Sequence, residues 1–199
     1  MKVLITKWSI GVLSVLLFTL PCFTRGEVSS FAMPVNLYQR CEAASQYRLL
    51  TNNTDAPPNA WRGLIPLHST RADVERVLGK PKWSHGSTFI HETECERVDV
   101  IYSKGACEPS GMTRWNVPAD VVIKLEVAPR NKILVKDLKF DLNRYLRNQE
   151  SHPENWVLYR SVEDGIRLRA ILDEKDETVM VVTYEPRTKD KVLQCSSTK

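Results

Sequence analysis

The usual signatures of catalysis are missing from this sequence. It contains no Walker A phosphate loop, no G-x-G-x-x-G fingerprint, no H-E-x-x-H helix and no G-x-S-x-G elbow. Glycine is scarce, at eight in 199 residues, so a Gly-rich phosphate cradle has little to be built from. The cysteines match no C-x-x-C spacing, which argues against a zinc ribbon or a thioredoxin-like motif. What remains is an ordinary globular composition, 42% apolar and 26% charged. That argues against disorder, collagen and a multispan membrane protein. The length suits one domain or two small halves with a real core.

The first 26 residues stand apart. Lys2 and Lys7 precede an uncharged run from Trp8 to Thr24, broken by Pro21 and closed by Arg25. This is the layout of a secretory signal peptide. As a helix the run would span roughly 26 Å, just short of a ~30 Å hydrocarbon core. The alternative is an uncleaved N-terminal anchor giving membrane attachment. Cleavage after Gly26 or after Ala32 would each follow a pair of small residues. Cys22 follows Pro21 in Thr19-Leu20-Pro21-Cys22, a poor match to a lipoprotein signal. Secreted or periplasmic localisation is therefore the expectation. The formal charge of +4 shrinks with the segment: of 28 Lys+Arg, three lie in it and no acid does, leaving 25 against 24. No Lys/Arg cluster remains that reads as a phosphate-tracking stripe, so no nucleic-acid partner is expected.

Without Cys22, four cysteines remain: Cys41, Cys95, Cys107 and Cys195. An even number in an exported chain reads as a disulfide framework with three connectivities. The pairing favoured is Cys95–Cys107, closing a short loop, with Cys41–Cys195 tying the two ends together.

Residues 27–60 read as an extension and linker, with a short helix near 36–50 and a turn-forming stretch from Asn52 to Asn59. A helix follows Thr70, with Asp73 completing a capping box, Val74, Val77 and Leu78 as its apolar stripe, and Gly79 and Pro81 ending it. Strand patterns dominate afterwards: Thr88–Glu92, Val98–Ser103 and Val121–Val127, then a mixed segment at Ile133–Leu142. Asn143–Gln149 is polar and suited to one helical turn. Trp156–Arg160, Ile166–Leu172 and Thr178–Tyr184 read as a three-strand meander, the last covered on both faces. The expected class is α+β: antiparallel sheet with short helices packed on one face, in one domain over 61–195. The order of elements also suits two diverged helix-plus-sheet halves, 61–130 and 131–195.

The run from Ile65 to Pro81, with Val74, Leu78, Gly79 and Pro81 in the pattern V-x-x-x-L-G-x-P, resembles the opening of the SmpA/OmlA family. That family is in turn similar to the repeats of the β-lactamase inhibitory protein fold. The resemblance covers about 17 residues and implies a helix-on-sheet layer in an exported bacterial protein that binds other proteins without catalysis. Trp61–Glu75 also resembles a broader group of bacterial exported proteins, which supplies no function.

Candidate sites are few. His85 and His91 with Glu92 and Glu94 could hold a metal across a loop, as in an exported hydrolase. If Thr88–Glu92 is a strand, however, His91 and Glu92 point to opposite faces. Glu92, Glu94 and Glu96 could form a carboxylate row, or a solvated strand face. Trp61, Trp83 and Trp115 flank loops and could form an aromatic binding patch, or each cover an end of the core. Arg114 and Trp115 lie in the segment best suited to recognition. No catalytic residue, metal ligand or cofactor is assigned. The leading expectation is a non-catalytic module for a protein or cell-envelope component. The alternatives are the metal-dependent hydrolase and a small-ligand carrier with an apolar pocket between sheet and helix.

Overall fold

The computed structural model describes residues 57–108, 114–138, 140–150 and 155–196. The segment read as a signal peptide, the helix expected near 36–50, Cys22, Cys41 and His152 lie outside the described residues. Among those described, no helix is long and apolar enough to cross a membrane.

The chain is broadly α+β. Among the described residues, one short α-helix, α1 (Arg71–Leu78), precedes eight strands, β1 (Trp83–His85), β2 (Thr88–Glu92), β3 (Glu96–Tyr102), β4 (Val122–Pro129), β5 (Leu146–Glu150), β6 (Trp156–Ser161), β7 (Ile166–Asp173) and β8 (Asp176–Tyr184). Short 3-10 helices occupy Val135–Asp137, Leu142–Arg144 and Thr188–Leu193. The strands form one antiparallel sheet in the order β1-β2-β3-β4-β8-β7-β6-β5. Two four-strand meanders therefore meet through their last strands, β4 against β8.

Helix α1 begins as its sequence dictates. The Thr70 hydroxyl accepts from the Asp73 N–H, and the Asp73 carboxylate accepts from the Thr70 N–H at 2.9 Å. That backbone bond holds the Asp73 carboxyl below its ordinary range. Gly79 closes the helix at φ +79°, a conformation an L side chain resists. Val74 is fully buried and joins the main core cluster.

Strand alternation places the core. Val98, Val100 and Tyr102 of β3, Leu125 and Val127 of β4, and Ile166, Leu168 and Ala170 of β7 are buried in one cluster. They meet Val157 and Tyr159 of β6 and Val179, Val182 and Tyr184 of β8. Successive side chains of a strand point to opposite sides. The residues between them, among them Arg97, Asp99, Lys124, Glu126, Arg167 and Arg169, therefore face the other way. β8 is central, and it is covered on both faces only at its C-terminal end, where Val182, Thr183 and Tyr184 are all buried. A register irregularity opposite Arg169/Ala170 accommodates Met180, which is 43% exposed while Val179 and Val182 both turn inward. A bulge adds one residue without flipping the rest of the strand.

Three other expectations change. Asn143–Gln149 is not a helical turn beyond Arg144; its end is edge strand β5, whose polar residues suit an edge. Among its described residues, Ile133–Leu142 holds no strand, only a bridge of Leu134 to Thr178, a 3-10 turn at Val135–Asp137 and the start of another at Leu142. The Cys95–Cys107 pairing is wrong. Cys107 is bonded to Cys195, with Cα atoms 5.7 Å apart, which also removes Cys41–Cys195. β3 lies between Cys95 and Cys107, and seven extended residues separate its ends by roughly 20 Å, beyond the reach of a disulfide. Cys95 is itself disulfide-bonded.

A second, smaller cluster forms beside the start of β4 from Leu67, Trp115, Val117, Val121 and Ile123, with Leu193 packed against it. It joins three distant stretches of chain: the approach to α1, the 115–123 loop and the C-terminal 3-10 helix.

Candidate functional site: a basic cleft on the open face

The face of the sheet opposite the main core carries a cleft of about 710 Å³. Its floor comes from one end of six neighbouring strands: Thr88 (β2), Ile101 (β3), Lys124 (β4), Glu185 just past β8, Arg167 (β7) and Arg160 (β6). The wall is the C-terminal segment, with Pro186, Arg187, Thr188, Lys191 and Gln194, and Ser87, Trp115, Ile123 and Val162 complete the lining. Five cations, Lys124, Arg160, Arg167, Arg187 and Lys191, thus share the cleft with one carboxylate, Glu185.

Local pairing accounts for three of the five. Lys124 meets Glu126 at 2.8 Å, Arg167 meets Glu185 at 3.2 Å and Arg187 meets Asp190 at 3.7 Å. Arg160 and Lys191 are exposed and have no carboxylate partner among the described residues. Arg160 lies directly opposite Arg167 across β6 and β7. Like charges in that position repel and destabilise a sheet. The row they belong to runs through consecutive registers, Asp99, Glu126, Thr183, Arg167 and Arg160, acidic at one end and basic at the other.

The wall is fixed to the sheet. The Asn116 N–H donates to the Leu193 carbonyl at 2.7 Å, the Cys195 N–H donates to the Arg114 carbonyl at 3.0 Å, and Trp115 bridges Gln194. Cys107–Cys195 closes this arrangement covalently across 88 residues of chain. At the other end, the Glu185 N–H donates to the Gly165 carbonyl and the Asn59 side-chain amide donates to the Glu185 carbonyl. A Cβ at Gly165 would stand 2.2 Å from the Glu185 carbonyl oxygen, so that close approach needs glycine.

The aromatic candidates do not make one patch. Trp61 is 1% exposed and belongs to the main core, with the Arg62 guanidinium over its ring. Trp83 is 42% exposed on edge strand β1, between Lys82 and Arg97 and outside the cleft. Arg114 is exposed beside the disulfide, where it lines a separate shallow recess with Cys107 and Cys195. Trp115 alone lines the cleft. It is 7% exposed, and its indole N–H has no acceptor among the described residues.

The metal candidates do not converge. His85 pairs with Thr88 in register and His91 with Val98, so the two rings lie on opposite faces of the sheet. His85 is exposed, and His91 is 1% exposed against the core side. Burial pushes the His91 pKa down, against smaller opposing effects of the Gly79 backbone and the Glu75 carboxylate. Glu92 is engaged by Lys82 and by Arg130 at 3.0 Å; the bond from Lys82 does most to hold its carboxyl below the ordinary range. Glu94 lies in the turn after β2, and Glu96 is wholly buried against Arg62. The expected carboxylate row is therefore split between a salt bridge, a turn and the core.

Sequence reasoning missed Lys124, Arg160, Arg167, Arg187 and Lys191 as a group. They come from four separate stretches, and no local charge run announces them. For Lys124, Arg160 and Arg167 the available signal was their position at outward-facing sites of strands.

No protein-family model matches the chain, and no curated protein matches it. Among solved structures it is similar to the crystal structure of a DUF4309 family protein, YjgB, from Bacillus subtilis subsp. subtilis str. 168. The identity is 14%, the match covers 76% of this chain and 94% of that chain, and the TM-score is 0.42. A likeness of that size bears on neither the site nor the function.

Proposed function

We propose that this is an exported, disulfide-stapled, non-catalytic binding module, and that its partner, a protein of the cell envelope or its surroundings, contacts the cleft on the open face. The carrying observation is the cleft itself: five cations against one carboxylate, with Arg160 and Arg167 opposed across two strands. A sheet tolerates such repulsion at a cost, and a bound anionic group offsets it. Export is supported by the N-terminal segment and is in keeping with the disulfide. In this reading α1 covers the core face, as in the SmpA/OmlA-like layer, and leaves the opposite face to the partner. The two meanders are read as diverged copies of one helix-plus-sheet unit.

A photo-crosslinking amino acid placed at Val162, which is exposed in the cleft, tests this directly in the producing cells. The expected result is a discrete adduct from Val162 that is absent when the same group replaces Arg76, exposed on α1. Equal adducts from both positions, or none from Val162, would contradict the proposal. The small-ligand carrier reading predicts no protein adduct and a co-purified small molecule by native mass spectrometry.

A further inference from the structure

We propose that the cleft receives an extended acidic segment of a polypeptide, with Arg160 and Arg167 as its carboxylate-binding subsite; this rests on the cleft being the partner-contacting surface. Length is the first reason. The floor crosses six neighbouring strands, β2-β3-β4-β8-β7-β6, and five inter-strand steps amount to about 24 Å. An extended chain covers that distance with about seven residues, whereas a compact small molecule would fill only part of it.

Charge is the second reason. The basic end holds Arg160, which has no carboxylate partner among the described residues, directly opposite Arg167. Guanidinium groups bind carboxylates through two parallel N–H bonds, and two opposed arginines can share neighbouring carboxylates. The other end is different. Ile101 and Ile123 line it, and Trp115 adds an aromatic side chain to the same wall.

The same pattern disfavours a polymer charged at every unit. Glu185 stands inside the cleft, and Glu126 and Asp99 continue the row that contains the two arginines. A phosphodiester chain lying along the floor would bring charge against Glu185. A peptide can place its own carboxylates at the arginine end and uncharged side chains at the other.

The test uses the protein with its disulfides intact and a fluorescein-labelled octapeptide of four glutamates followed by two valines and two serines, read by fluorescence anisotropy. The controls are the same peptide with glutamines for glutamates, and short-chain polyphosphate as a competitor. The expected result is saturable binding that is about tenfold weaker for the glutamine peptide and about tenfold weaker for Arg160→Glu, since each removes charge-assisted bonds. Lys191→Glu is the second variant, so the test stands even if one variant folds poorly; circular dichroism verifies both. Equal binding of the two peptides, or undiminished binding by both variants, overturns the proposal. Polyphosphate displacing the peptide at lower concentration than unlabelled peptide overturns it in favour of a phosphate polymer. If Val162 still captures a protein but the octapeptide does not bind, only the acidic-segment inference falls. If neither occurs, the cleft reading falls with it.

Discussion

Lys124 and Leu125 are neighbours in β4 and point to opposite sides of the same sheet. Leu125 is fully buried among the side chains of β3, β7 and β8. Lys124 lines the cleft and keeps a third of its side chain exposed. The difference recurs along β7, where Ile166, Leu168 and Ala170 are buried and Arg167 and Arg169 are not. One face excludes water and has little freedom to vary. The other spends its positions on charge, and at Arg160–Arg167 it places like charges together. Stability should therefore reside in the first face and recognition in the second.

The largest expected effect joins the two. Replacing Cys107 and Cys195 by serine frees a loop whose closure is worth up to about 4–5 kcal/mol on a chain-entropy account. It also releases the wall of the cleft, so binding should fall further than denaturation by urea reports for variants of equal stability. Next is the neighbour pair itself. Leu125→Ala should cost about 2–5 kcal/mol through lost burial and a cavity, and Lys124→Ala within about 0.5 kcal/mol of zero. Similar losses from both would erase the distinction between the faces. Gly165→Ala should cost about 1–3 kcal/mol, because φ is +67° and the new methyl meets the Glu185 carbonyl. Peptide binding by the folded fraction should fall too, since Glu185 lines the cleft.

The smallest effect concerns pH. The folded-state pKa of His91 lies below its ordinary value of 6.5, chiefly through burial. Below that value the unfolded chain takes up a proton that the folded chain resists, so stability falls as pH drops from 6.5 toward the folded pKa. Urea midpoints between pH 7.5 and 5 should show this decline in the wild type and a shallower one in His91→Gln. An unchanged slope would place the titrating group elsewhere.

How much of this could be read from the sequence depended on range. The helix was legible because its signals are local: Thr70 and Asp73 at one end, Gly79 and Pro81 at the other. Strands β3, β4 and β7 were legible from two-residue alternation, and β8 from its continuous apolar run. β1 was not, since its three residues are all exposed and carry no alternation to detect. β5 was hidden by an edge position that permits a polar sequence. The disulfide was misassigned because proximity in sequence stood in for proximity in space, with a whole strand intervening. The cleft was invisible for the same reason. Its cations come from β4, β6, β7 and the C-terminal segment, and only the registers bring them to one end of one face.

The separation of stability from recognition is tested most directly by Arg160→Glu, measured for unfolding and for binding in one preparation. The account predicts a urea-unfolding free energy within about 0.5 kcal/mol of wild type, or slightly above it because the repulsion with Arg167 becomes attraction. Affinity for the acidic octapeptide should fall by about tenfold. A loss of stability above about 2 kcal/mol would show that the open face carries the fold. Unchanged affinity in a stably folded variant would show that the arginine pair is not where the partner binds.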